Sequence, residues 1–187
     1  VRPYHRSAPT RELCQLIKTL QENEIQVSYV RPLRTFYSTL VLYPIMKRPE
    51  TSEFFDFMID NNLVDLVAKK GKASGGYCTY IDDYKAPYIF SNFNGTSGDI
   101  DVLTHEAGHA FQVYSSRHYE IPEYIWPTFE ACEIHSMSME FLTWPWMENF
   151  FKEDTDKYKF SHLSNSLEFL PYGVAVDEFQ HFIYENP

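Results

Sequence analysis

His105-Glu106-Ala107-Gly108-His109 puts two imidazoles four residues apart, with a carboxylate next to the first. On an α-helix, residues four apart lie one above the other on the same face, so both rings can reach one ion. Glu106, one step round from His105, falls beside that ion rather than on it, where a carboxylate can take a proton from a water the metal activates. A catalytic zinc centre also needs a third protein ligand and an open position. The following stretch offers Glu130, Glu133, His135 and Glu140. If that stretch is helical, its three glutamates share nearly one face, while His135 points about 200° from Glu133 and is the weakest candidate. Three ionised carboxylates on one face repel one another in an apolar setting, and a divalent cation is the simplest compensating charge. The competing reading is a set of polar residues on a solvated helix. Gly108 speaks against it, since Gly costs about 1 kcal/mol relative to Ala in an exposed helix interior unless something packs closely there.

These residues need helices to position them, and the flanking sequence supplies the signals. Thr96-Ser97-Gly98-Asp99 reads as a Thr-x-x-Asp capping box, and Ile100, Leu103, Ala107, Ala110, Phe111 and Tyr114 follow at helical intervals, predicting a helix over 98–115. Pro127 suits the first turn of a second helix over 129–141, which should end before Pro145. Upstream, 77–81 and 88–93 are short, aromatic and β-branched and flank the polar turn Asp82-Asp83-Tyr84-Lys85, which predicts a β-hairpin. Pro87 favours an edge position for the second strand. Further helices are expected at 10–21, at 50–70 with Asn61-Asn62 as a possible break, and around 160–170 and 174–184. The stretch 24–43 supports neither helix nor strand. With no repeat and no low-complexity linker, the expected fold is mainly α with one small antiparallel sheet, in a single domain over 1–187.

Composition narrows the partners. The 187 residues carry 16 Lys plus Arg against 26 Asp plus Glu, a formal net charge of −10, which disfavours a nucleic-acid or anionic-membrane surface. Cys14, Cys78 and Cys132 are widely spaced and contain no CxxC pair, so neither a disulfide framework nor a thiolate zinc site is expected, and a reducing, cytoplasmic setting fits. No apolar run is long enough to span a membrane, and the opening residues lack the order of a signal peptide. The first residue is Val rather than Met, as in a piece of a longer protein.

The run His105-Glu106-Ala107-Gly108-His109-Ala110-Phe111-Gln112, followed by Glu133-x-x-Ser136-x-x-x-Glu140, resembles the thimet-type oligopeptidases, zinc metallopeptidase family M3, and most nearly their oligoendopeptidase F group. The resemblance extends through 53–58, 70–78, 87–103 and 176–181, and is weaker over the first 40 or so residues. It implies one zinc ion held by His105, His109 and Glu133, Glu106 as general base, and Glu140 orienting a ligand. It further implies a largely helical zincin-type fold whose two halves enclose a channel that excludes folded proteins, and broad action on short unstructured peptides. The family's tyrosine-rich loop, which helps hold substrate, lies beyond the segment resembling 176–187, so a catalytic-core piece of low activity on its own is expected.

The function expected from the sequence is thus a zinc metalloendopeptidase. Extended peptides would lie along the edge strand near Tyr88, Phe90 and Phe93 through main-chain hydrogen bonds. The alternative is a zinc-binding fragment or inactive homologue with a role in assembly or regulation.

Overall fold

A computed structural model describes residues 49–187. The helix expected at 10–21, the undecided stretch 24–43 and Cys14 lie outside the described residues. The described residues divide into two compact units, one ending at 152 and the other spanning 153–187.

In the first unit the order is α1 (Pro49–Asp60), β1 (Val64–Val67), β2 (Tyr77–Ile81), β3 (Ala86–Phe93), α2 (Gly98–Ser116), α3 (Cys132–Leu142) and α4 (Glu148–Phe151). The helix expected over 50–70 therefore stops ten residues early. Asn62 takes a left-handed turn at φ 53°, and the chain leaves it extended as β1. Leu63, Leu66 and Val67 fit helical spacing, yet a short apolar run serves a buried strand as well, and periodicity alone does not separate the two. Here the sheet decides: β1 runs parallel to β3, with the Ile89 N–H donating to the Leu63 carbonyl at 3.0 Å, and Leu66 and Val67 are buried.

The expected hairpin is present, β2 pairing antiparallel with β3 around Asp82–Tyr84, and Lys85 closes the turn in the left-handed region. The strand order is β1-β3-β2, so the sheet is mixed and β3 is its central strand. Pro87 did not make it an edge. Pro87 stands opposite Tyr80, two residues before β1 begins to pair at Ile89, so its missing N–H costs no bond to β1. Lys72 ties β1 to β3: its buried ammonium donates to the carbonyls of Asp65, Val67 and Ser91 and pairs with the Asp65 carboxylate at 3.2 Å.

The expected helix at 98–115 is observed as α2. Its entry is not a capping box, however. The Asp99 carboxylate reaches past Thr96 to accept from the N–H groups of Asn94 and Gly95, at 3.0 and 2.7 Å, while Thr96 Oγ1 donates to Asn94 Oδ1. The negative charge still sits in the first turn, where the helix dipole favours it. Ile100, Leu103, Ala107, Ala110, Val113 and Tyr114 form the buried stripe of α2. Phe54 of α1 packs against Phe111 and Tyr114 at 5.3 Å between ring centroids, and the Tyr114 hydroxyl donates to Glu53 at 2.7 Å.

The next helix begins three residues later than the sequence predicts. The Ala131 N–H closes a turn onto the Thr128 carbonyl and Cys132 Sγ donates to the Phe129 carbonyl, so the chain coils until Cys132 and Glu130 precedes the helix. In the second unit, the helices expected at 160–170 and 174–184 are one, α5 (Thr155–Glu185), which runs through Pro171. A proline removes one backbone bond to the residue four before it, and the turns on either side are long enough to carry the helix across. Among the described residues, no helix is long and apolar enough to cross a membrane.

Candidate metal centre

α2 and α3 cross closely because Gly108 has no side chain. A Cβ there would meet Ser136 Cα at 2.6 Å, the His135 carbonyl oxygen at 2.9 Å and Met139 Cβ at 3.1 Å. Ser136 thus marks the line of contact on α3, and the residues on its two flanks reach past α2 toward the histidines.

Three ligand-type atoms converge there. His105 Nε2 lies 2.9 Å from Glu133 Oε2, His109 Nε2 lies 3.4 Å from the same oxygen, and the two Nε2 atoms are 3.2 Å apart. Tetrahedral zinc, at about 2.1 Å from each ligand, sets its ligand atoms roughly 3.4 Å apart. The spacing fits. So does the charge, since His105 turns its Nδ1 to Glu140 Oε1 at 2.6 Å. An ionised carboxylate only accepts, so Nδ1 carries a proton; in the neutral ring Nε2 offers a lone pair toward Glu133, and in the protonated ring Nε2–H donates to it. A proton on Nε2 satisfies this close approach in the absence of an ion, and a bound cation would take that proton's place. Glu133 is itself held, accepting from Ser136 Oγ at 2.8 Å and from Cys132 Sγ at 3.4 Å. These three residues form a candidate metal-holding group of the described residues.

The electrostatics follow from burial and these neighbours. Burial disfavours a charged His105, but Glu140, Glu106 and Glu133 outweigh it and its pKa goes up. For His109, burial outweighs Glu133 and the pKa goes down, helped by His105 and His135. Burial would raise Glu133, yet its bonds from Ser136 and Cys132 and the two histidines hold it below the ordinary carboxylate value. Glu106 is 8% exposed, and burial pushes its carboxyl up against the pull of His105 and the Cys78 backbone N–H.

A cleft of about 350 Å³ opens beside the cluster, lined by Gly76, Tyr77 and Cys78 at the start of β2, by Trp126, Pro127 and Phe129 before α3, and by the histidines, Glu106, Cys132 and Glu133. It falls at the small end of the range for ligand sites.

The structure therefore brings His105, His109, Glu133, Glu106 and Glu140 together, and leaves Glu130 outside the cluster. Tyr88, Phe90 and Phe93 do not line the cleft. Phe93 is buried, and Phe90 stacks at 4.9 Å beneath Tyr77, which does face the cleft. The strand expected at the edge, β3, is the central one, and the edge strand that meets the cleft is β2. Sequence reasoning also set His135 aside, yet its Nε2 lies 3.1 Å from His109 Nδ1. A signal existed: helical positions 133 and 135 fall on opposite flanks of 136, so both can address a site on a helix packed across that line.

Comparison with known proteins places the chain in a family. The family described as peptidase family M3 matches residues 50–186. The chain is 71% identical to a solved structure described as PZ peptidase A with inhibitor 2, with a TM-score of 0.71, covering 87% of this chain and 28% of that one. It is 72% identical to a structure from Bacillus anthracis str. Ames assigned as an oligoendopeptidase F, with a TM-score of 0.71 and coverage of 85% and 28%. A third structure, also assigned as oligoendopeptidase F, is 58% identical, with a TM-score of 0.71 and coverage of 96% and 35%. The chain thus spans only about a third or less of the length of these structures. No curated protein matches it.

Proposed function

The chain belongs to peptidase family M3, and from that premise we propose that it carries the zinc centre of a metalloendopeptidase that cuts short, unstructured peptides. The carrying observation is the convergence of His105 Nε2, His109 Nε2 and Glu133 Oε2 at 2.9 to 3.4 Å, with Glu106 beside them in the cleft. Zinc bound there would supply an activated water and a polarised peptide carbonyl. Glu106 would accept a proton from water at the site and pass it to the leaving amine. Its burial suits the task, because a carboxylate pushed above its ordinary value binds and releases a proton nearer neutrality. Glu140 holds His105 through Nδ1 and keeps its Nε2 turned inward.

The substrate lies along β2, which among the described residues pairs with β3 alone and lines the cleft at Tyr77 and Cys78, next to Gly76. Backbone pairing with a strand edge is indifferent to side chains, which suits loose peptide preference. Tyr77, Trp126 and Phe129 present aromatic surface to residues flanking the cut. We read 1–187 as a catalytic core within a longer peptidase, whose peptide turnover belongs to the whole. The free thiols of Cys78 and Cys132 fit a reducing, cytoplasmic setting.

Hydrolysis of a quenched fluorescent peptide by the protein carrying this chain tests the reading. Activity should vanish on chelation, return with zinc, and fall by about 10² or more in Glu106→Gln while zinc stays bound. Full activity in Glu106→Gln would remove Glu106 from the chemistry, and activity indifferent to chelation would remove the metal.

A further inference from the structure

The two histidines of the cluster are backed differently. His105 Nδ1 meets a carboxylate, Glu140, at 2.6 Å, whereas His109 Nδ1 meets a second imidazole, His135 Nε2, at 3.1 Å. The His109 and His135 rings stand nearly perpendicular, 81° apart with centroids at 5.1 Å, which suits one ring's N–H pointing at the lone pair of the other. The backbone of His135 is fixed where it must be for this contact, since its carbonyl packs on α2 at Gly108, next to His109.

We infer that His135 is a positioning residue for the metal centre: its Nε2 accepts a hydrogen bond from His109 Nδ1–H and so holds His109 in the tautomer that turns the Nε2 lone pair toward Glu133. The inference rests on the metal-centre reading above and deepens it. Of the two ring nitrogens of a neutral histidine, one donates and the other accepts, so the partner at Nδ1 decides what Nε2 offers. Without an acceptor at Nδ1, His109 is free to carry its proton on Nε2, where it points into the cluster and must be displaced before a cation can be held. A carboxylate would also accept from Nδ1, but would add a negative charge to a site that already holds Glu133, Glu140 and Glu106. A neutral imidazole orients the ring without that charge.

The roles separate by substitution. His135→Leu removes the acceptor, and His135→Gln restores one, since the amide oxygen can reach roughly the position of Nε2. Zinc affinity, measured by competition with a chromophoric chelator, should drop by about 10- to 100-fold in His135→Leu and return to within about threefold of wild type in His135→Gln. The ring nitrogen NMR signals of metal-free protein give an independent readout: His109 should carry its proton on Nδ1 in wild type and in His135→Gln, and lose that preference in His135→Leu. Should His135→Leu fail to fold, His135→Phe keeps a ring of similar shape with no acceptor and carries the same comparison. Wild-type zinc affinity in the Leu or Phe variant, equal losses in the Gln and Leu variants, or a wild-type His109 protonated on Nε2 would each overturn the inference. A wild-type protein that binds no zinc would overturn the metal-centre reading instead, and the NMR tautomer would still decide whether His135 orients His109.

Discussion

At the scale of single residues, the proposed centre is organised by where protons are held. Glu140 behind His105 keeps a proton on Nδ1, so the proton that an incoming cation would displace is the one on Nε2, facing Glu133. The same cleft makes Cys78 a poor nucleophile: burial, and then the charge of Glu106, push its thiol up to about 12. At pH 8 only about one molecule in 10⁴ would carry the thiolate. Iodoacetamide labelling followed by peptide mapping should therefore leave Cys78 nearly unmodified although it lines the cleft, and Glu106→Gln should speed its labelling. Rapid labelling of Cys78 in the folded protein would show that the cleft is more polar than its packing implies. That His105 and His109 share one helix face was legible in the sequence because a helix fixes what four residues of separation mean. His135 was not, because its angle was judged from Glu133 alone, whereas a helix packed along Ser136 presents both flanks to its neighbour.

At the scale of elements, the site depends on how closely α2 and α3 approach at Gly108. Gly108→Ala should gain about 1 kcal/mol of intrinsic helix propensity. The new Cβ would stand 2.6 Å from Ser136 Cα and 2.9 Å from the His135 carbonyl, both backbone atoms that yield only if the helices part. Overpacking of this kind costs about 1 to 3 kcal/mol, so the expected outcome of chemical denaturation is no net gain or a loss of stability, with weakened zinc binding as Glu133 and His135 move away from the histidines. A variant that is more stable and binds zinc normally would mean that the helices have room to spare. Elements with a local cause, such as α2 and the β2–β3 hairpin, could be read from the sequence. β1 could not, because its identity as a strand comes from β3, more than twenty residues later, and the central place of β3 follows from the same pairing. The start of α3 was misplaced for a related reason: Pro127 is compatible with a helical first turn, but here it belongs to the cleft wall.

At the scale of the whole molecule, every residue of the proposed centre lies between His105 and Glu140, inside the first compact unit, although the chain covers about a third or less of the related structures. Binding of the ion should therefore stabilise this unit. At free zinc about 100 times the dissociation constant the gain is about 2.7 kcal/mol, so chelation should lower the melting temperature by roughly 5 to 10 °C, in a manner that depends on zinc concentration. A melting curve indifferent to zinc and chelator would mean that the ion is not held by folded structure. The central claim, that His105, His109 and Glu133 hold one ion, is tested most directly by counting metal per chain in two glutamate variants purified side by side. Glu133→Ala should lose most of its zinc, while Glu130→Ala, altered just before the helix and outside the cluster, should keep one ion per chain. Zinc retained in Glu133→Ala and lost in Glu130→Ala would contradict the account.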